Sequence, residues 1–155
     1  MMKIALLLTA LGFSPALMAC DLSLVGIWQS DAAATMSFNR ANTRLEERQE
    51  RFLASLMGKM TLEFTDKQLH LRLPDTQVTV KGELKPFTGF EERNPYKVLF
   101  CNERMVVVET PEAVTGESSV TTYFFVNSDA MWAYVGSNSP KAPDLHIREY
   151  FTRVR

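Results

Sequence analysis

Two cysteines and two histidines are the side chains of this sequence best suited to covalent, acid–base or metal chemistry. Nucleophilic hydrolysis needs a serine or cysteine, a base within reach and an oxyanion site. His70 and His146 both fall on the polar side of alternating strand patterns, and no Gly-x-Ser-x-Gly sequence is present. His-Glu-x-x-His, Cys-x-x-Cys and glycine-rich phosphate loops are also missing. We therefore predict no catalytic residues, no metal and no cofactor, and we expect that the protein is not an enzyme.

The start of the chain bears on the compartment in which the cysteines would lie. An apolar run, residues 4–13, follows Lys3 and leads through small residues to Cys20. This order is that of a secretory signal peptide, and the run is shorter than the about 20 apolar residues that span a membrane. We predict a signal peptide over residues 1–19, a single domain over residues 20–155, and export to the bacterial periplasm.

Two fates are open for Cys20. Leu17-Met18-Ala19-Cys20 resembles a bacterial lipobox, and acyl chains on this cysteine would anchor the domain to a membrane. Alternatively, Cys20 pairs with Cys101, since an even number of exported thiols favours pairing. Such a bridge closes a loop of about 80 residues and stabilises by about 4 kcal/mol through chain entropy. Acylation would leave Cys101 as a lone exported thiol, which favours the disulfide. Membrane contact is expected only if Cys20 is acylated.

Charge and composition exclude two further classes of protein. The chain has 17 Lys and Arg against 18 Asp and Glu, and the charges are scattered along it. This balance gives no electrostatic footprint for nucleic acid, so no nucleic-acid partner is expected. A hydrophobic content of 46% is too high for a disordered chain and is ordinary for a globular domain.

The elements that would position these side chains are mostly short strands. After a first strand over residues 22–29, apolar and polar residues alternate with period two in three strand patterns split by short turns, over residues 59–65, 69–73 and 76–84. The segment over residues 85–95 is predicted as a loop, with Glu91-Glu92 solvated. More apolar strand patterns follow it over residues 96–101, 104–110, 119–126, 130–136 and 145–154. Together these strand patterns predict a mainly β protein, an antiparallel meander that closes into a barrel of about eight or nine strands.

One helix is predicted over residues 43–57, between the first and second strands. Thr43 and Glu46 fit a capping box, in which each side chain satisfies a free backbone donor of the other. Gly58 follows where a left-handed cap would end the helix. The polar, Ala-rich stretch before the helix, residues 30–39, shows no clear period, and no helix or strand is assigned to it.

Two short motifs carry a resemblance to a known superfamily. Gly26-Ile27-Trp28 on the first strand and Arg153 on the last resemble the calycin pattern of lipocalins, fatty-acid-binding proteins and avidins. In that pattern the tryptophan packs near a barrel end and a late arginine lies across its indole ring. The resemblance implies a lipocalin-like barrel in which Trp28 and Arg153 have structural roles, with Arg148 and Arg155 as competing arginines. A fold does not by itself define a function.

Aromatic residues of the later strands are the candidates for binding. Trp132, Tyr134 and Tyr123 either line a ligand pocket, form a protein-contact patch or fill the core. One hypothesis is an exported barrel of the bacterial envelope that binds a small apolar or amphipathic ligand. The alternative is a protein-interaction module without a ligand cavity, such as an envelope-assembly factor, an inhibitor or an immunity protein.

Overall fold

The computed structural model describes Cys20 and residues 23–111, 117–135 and 146–154. The predicted signal peptide, residues 1–19, and Arg155 lie outside the described residues. The helices are α1 Ala32–Asn42 and α2 Glu47–Leu56, and the strands are β1 Gly26–Ser30, β2 Thr61–Phe64, β3 Gln68–Leu73, β4 Thr76–Val80, β5 Glu83–Phe87, β6 Phe90–Pro95, β7 Lys97–Cys101, β8 Met105–Pro111, β9 Ser118–Asn127, β10 Ala130–Tyr134 and β11 Arg148–Val154.

Nine of these strands form one antiparallel sheet, in the order β6-β3-β2-β1-β11-β10-β9-β8-β7. β6 and β7 lie at opposite ends of this order, yet only Tyr96 separates them along the chain. The two edges of the sheet therefore meet at Tyr96, and the sheet nearly closes into a barrel. The predicted mainly β, antiparallel barrel is confirmed, with its helical segment between the first two strands.

β4 and β5 form a separate two-stranded hairpin that packs beside α2. The single strand predicted over residues 76–84 is therefore wrong. Lys81 and Gly82 have φ values of 53° and 85°, the pair of left-handed conformations that two-residue hairpin turns need. The chain reverses at this turn instead of continuing.

The prediction of a loop over residues 85–95 is also wrong, because β6 lies within this segment and pairs with β3. Glu91 and Glu92 are consequently strand residues that point to opposite faces of the sheet. Glu92 is opposite Leu71 in the register, on the face that lines the barrel interior. This change of assignment gives Glu92 a position that the sequence did not indicate.

Two helices connect β1 to β2, where the sequence predicted one over residues 43–57. α2 occupies the predicted segment, and its capping pair is shifted: Gln49 Oε1 accepts the backbone N–H of Glu46 at 2.8 Å. α1 lies in the Ala-rich stretch, to which the sequence pattern assigns no helix or strand. Thr43 ends α1 as its C-cap instead of beginning the next helix.

The buried face of α1 is largely polar, which explains why no apolar period marks it. Thr35, Met36 and Asn39 are buried against β11. Thr35 Oγ1 accepts the backbone N–H of Tyr150 at 2.9 Å. The Asn39 amide donates to the carbonyl of Arg148 at 2.8 Å and accepts its N–H at 3.0 Å. These hydrogen bonds hold α1 over one end of the barrel, which we call the helical end.

Trp28 and Arg153 lie at the opposite end, the tryptophan end. Trp28 is fully buried, and its indole N–H donates to the carbonyl of Leu24 at 2.7 Å. The guanidinium carbon of Arg153 lies 4.2 Å from the centre of the Trp28 ring, and its Nη atoms donate to the carbonyls of Val25 and Ser23 at 2.7 and 2.8 Å. This is the stacking that the calycin resemblance implies.

Gly26 shows why the motif at the tryptophan end contains glycine. Its φ of 136° is one that other residues rarely adopt, and a Cβ there would lie 2.6 Å from Nη1 of Arg153. The glycine therefore makes room for the arginine. Of the competing arginines, Arg148 lies at the helical end on the outer face.

A disulfide joins Cys20 to Cys101 at the end of β7, with a Cα separation of 5.7 Å. The bridge ties the segment before β1 to the edge strand of the sheet. A bridged sulfur cannot also carry a thioether-linked lipid, so the structure corresponds to the disulfide alternative. None of the described helices is long and apolar enough to cross a membrane.

Candidate ligand-binding site

A cavity of about 370 Å³ lies inside the barrel, toward the helical end. We call it the barrel pocket. It sits between β3 and β6 on one side and β8 and β9 on the other, where the sheet closes incompletely. Its lining residues are Leu69, Leu71, Glu92, Asn94, Val108, Thr110, Pro111, Ser119, Thr121 and Tyr123.

Along β8 and β9, the side chains that line the pocket change from apolar to polar toward the helical end. Val108 lies opposite Thr121, and one step nearer the helical end Thr110 lies opposite Ser119. Because side chains alternate between the two faces of a strand, every second residue of each strand points inward. Leu69, Leu71, Val108 and the Tyr123 ring thus supply the apolar part. Hydroxyl groups, the Asn94 amide and the Glu92 carboxylate supply the polar part. A pocket of this composition suits an amphipathic molecule.

The structure divides the three predicted binding residues between the two faces of the sheet. Tyr123 is buried and lines the barrel pocket. Trp132 lies opposite Phe124, the neighbour of Tyr123 on β9, so its ring is on the outer face. Tyr134, two residues further along β10, is on that face as well, with 52% of its surface exposed. The three residues therefore do not share one pocket.

The outer-face aromatics surround Arg148, and we call this group the Arg148 cluster. The guanidinium carbon lies 3.9 Å from the Trp132 ring centre and 4.2 Å from that of Phe38 on α1. Nη2 donates to the Tyr134 hydroxyl at 3.4 Å, while Nε is buried without a hydrogen-bond partner among the described residues. The Trp132 and Phe124 rings stack at 4.1 Å. Arginine held between aromatic rings is typical of protein-contact surfaces.

Glu149 is a buried carboxyl group inside the barrel that the sequence analysis missed. Only 5% of its surface is exposed, and Oε1 accepts the Ser30 hydroxyl at 2.6 Å. Ser30 Oγ in turn accepts the backbone N–H of Gly58 at 2.8 Å. The available signal was the alternation along β11, in which Glu149 lies between the inward residues Ile147 and Phe151.

Burial dominates the proton equilibria of the barrel interior. It raises the pKa of Glu149 because the charged form loses hydration, and the hydrogen bond from Ser30 opposes this only in part. Burial also raises the pKa of Tyr123, with a smaller contribution from the negative charge of Glu149. Burial therefore favours the protonated, uncharged forms of both interior groups.

We expect Glu149→Gln to gain stability relative to the unaltered protein as the pH rises. A carboxyl whose pKa is raised on folding favours the folded state below its unfolded pKa, and that contribution is lost as the pH rises through the folded pKa. Glutamine has no such proton equilibrium. Urea unfolding of both proteins at several pH values between about 4 and 8 measures the difference. A difference in unfolding free energy that does not vary with pH contradicts the prediction.

The remaining candidates for chemistry do not line the barrel pocket. His70 Nε2 is 2.7 Å from Glu91 Oε1, and His70 Nδ1 is 3.4 Å from Glu63 Oε2, which makes an ion pair or hydrogen-bond group on β2, β3 and β6. His146 is exposed. Within the described ranges, no group of three or more His, Cys, Asp or Glu side chains is arranged to hold a metal ion.

A second cavity, of about 400 Å³, lies between α2, β4 and Ile147. Phe52, Leu53 and Val80 contribute to its walls. It lies outside the barrel interior. We call it the helix cavity.

Comparison with protein-family models, with curated proteins and with solved structures finds no match for this chain.

Proposed function

We propose that this chain is an exported β-barrel protein that binds a small amphipathic ligand in the barrel pocket. The observation that carries the proposal is a cavity of about 370 Å³ with an apolar floor and a polar rim, inside the barrel. Cavities that bind small molecules span about 300–1,000 Å³ and combine apolar walls with a few polar groups. The Arg153 guanidinium over the Trp28 ring, an arrangement that the calycin resemblance implies, supports such a role.

Two observations support export to the periplasm of a bacterium. The order of charge, apolar run and small residues before Cys20 is that of a signal peptide. The disulfide between Cys20 and Cys101 is of the kind that persists in oxidising compartments. We propose the soluble form, because the bridged Cys20 has no sulfur left for acylation.

Filling the barrel pocket tests the proposed function. The neutral fluorescent probe N-phenyl-1-naphthylamine is titrated into Thr121→Trp and Thr122→Trp, which add the same ring to adjacent residues. Thr121 lines the pocket, whereas Thr122 points to the outer face. We expect Thr121→Trp to weaken probe binding about tenfold or more and Thr122→Trp to leave it within about twofold.

A second filling variant guards against misfolding of the first. Ser119→Leu narrows the same pocket from its rim with a smaller change in volume. Both pocket variants should unfold cooperatively in urea, which shows that they are folded. Equal loss of probe binding in Thr121→Trp and Thr122→Trp, or no loss in either pocket variant, overturns the proposal.

The Arg148 cluster favours a second candidate function, a contact surface for another envelope protein. Its partner would carry a carboxylate, because a guanidinium that lies between two aromatic rings can still donate hydrogen bonds from its N–H groups to a carboxylate. Arg148→Gln should abolish capture of a specific partner from an envelope extract, while Thr121→Trp should leave capture intact. Absence of a specific partner, or one lost with Thr121→Trp instead, removes this candidate.

A further inference from the structure

The charge of the barrel pocket is set by one side chain. Glu92 is the only charged residue among the described residues that line it. More than a third of its surface is exposed, so its carboxylate is accessible from the open slot between β6 and β8. The other polar groups of the lining are hydroxyls and the Asn94 amide, which carry no charge.

Glu92 lacks the cationic partners that its neighbour has. Glu91, on the outer face, lies 2.7 Å from His70 and 3.7 Å from Arg93. Among the described residues, the Asn94 amide donates a hydrogen bond to Glu92 Oε2 at 3.4 Å. No described Lys, Arg or His forms an ion pair with the Glu92 carboxylate. The inward carboxylate is therefore uncompensated, whereas the outward one is compensated.

The neutral polar groups of the pocket are also available to a ligand. The hydroxyls of Thr110, Ser119 and Thr121 form no hydrogen bond with another described residue. A hydroxyl oxygen can accept a hydrogen bond from an ammonium group as well as from a ligand hydroxyl. Around Glu92, the pocket therefore offers several acceptors and one negative charge.

Charges near a partly desolvated carboxylate interact more strongly than they do in bulk water. A ligand carboxylate in the barrel pocket would lie near Glu92 with no protein cation among the described lining residues to offset the repulsion. An ammonium group would instead be attracted by the Glu92 carboxylate.

We propose that the barrel pocket selects amphipathic cations, such as alkylamines, over amphipathic carboxylates, and that Glu92 determines this preference. The inference rests on the proposed function, since it specifies the ligand class of the same pocket. The ligand places its hydrocarbon chain against Leu69, Leu71 and Val108 and its ammonium group beside the Glu92 carboxylate.

Three ligands of equal chain length test the inference: n-octylamine, n-octanol and octanoate. Each displaces N-phenyl-1-naphthylamine from the full chain at neutral pH, where the amine is positive and the acid negative. We expect octylamine to bind about tenfold or more tightly than octanoate, with octanol between them. Glu92→Gln should reduce the difference between amine and acid to about twofold.

The matched control is Glu91→Gln, the same change at the adjacent residue on the outer face. It should keep the preference for octylamine, because Glu91 points away from the pocket. If Glu91→Gln reduces the preference as much as Glu92→Gln does, the general charge of the protein is responsible and the role of Glu92 is contradicted. If all three ligands bind equally, the charge inference fails and the proposed function stands. If neither the probe nor any of the three ligands binds, the proposed function fails as well.

Discussion

Cys20→Ser is expected to lower the free energy of unfolding by about 4 kcal/mol. The disulfide joins residues 81 positions apart, so removing it restores much conformational freedom to the unfolded chain. Cys20 is exposed, whereas Cys101 is buried. The change at Cys20 therefore removes the crosslink without placing a new hydroxyl in the core. Guanidinium unfolding of both proteins without reductant measures the loss.

Reductant provides the control for this prediction. It should destabilise the unaltered protein by a similar amount and leave Cys20→Ser unchanged, because the variant has no disulfide to lose. Intact mass with and without reductant adds an independent check, since opening the bridge adds two hydrogens. A loss of less than about 1 kcal/mol in Cys20→Ser contradicts the stabilising role of the bridge.

Trp28→Ala is the second change with a large expected effect, about 4 kcal/mol of destabilisation. Trp28 has none of its surface exposed, and its ring packs edge-on to Phe125 at 5.9 Å and beneath the Arg153 guanidinium. Truncation leaves a cavity at the tryptophan end and removes the surface on which Arg153 lies. The Leu24 carbonyl also loses its hydrogen-bond donor.

Trp132→Ala is the size-matched control, because it removes the same ring from the outer face. Trp132 is half-buried, so the loss should be about 2 kcal/mol. Urea unfolding of both variants gives the comparison. Equal destabilisation by the two changes contradicts the view that the stacked pair at the tryptophan end is a main support of the barrel.

The strands were predictable from the sequence because alternation of apolar and polar residues reports directly which face of a sheet is buried. β2 and β3 follow this rule, whereas β8 to β11 are marked by short apolar runs between turn residues. α1 was not predictable, because Thr35 and Asn39 fix it to β11 through hydrogen bonds and leave no apolar stripe. β5 and β6 were hidden by their proline and charged residues and by Gly89 between them, and β6 is defined by its pairing with β3.

The same physics limited prediction of the site. Tyr123 was identified as a candidate because aromatic rings commonly line pockets. Trp132 and Tyr134 were grouped with it, and only the strand register shows that they lie on the opposite face. Glu92 was predicted as a solvated loop residue, so its inward position depends on a pairing that no local pattern indicates.

Methyl NMR during titration with n-octanol tests the central claim, that the barrel interior binds an amphipathic ligand, most directly. Shifts should be largest for the methyl groups of Leu69, Leu71 and Val108, which line the barrel pocket. Methyl groups of Leu53 and Val80, in the helix cavity, should move little. Shifts confined to the helix cavity, or saturation of the titration without any shift in the barrel pocket, would contradict the account.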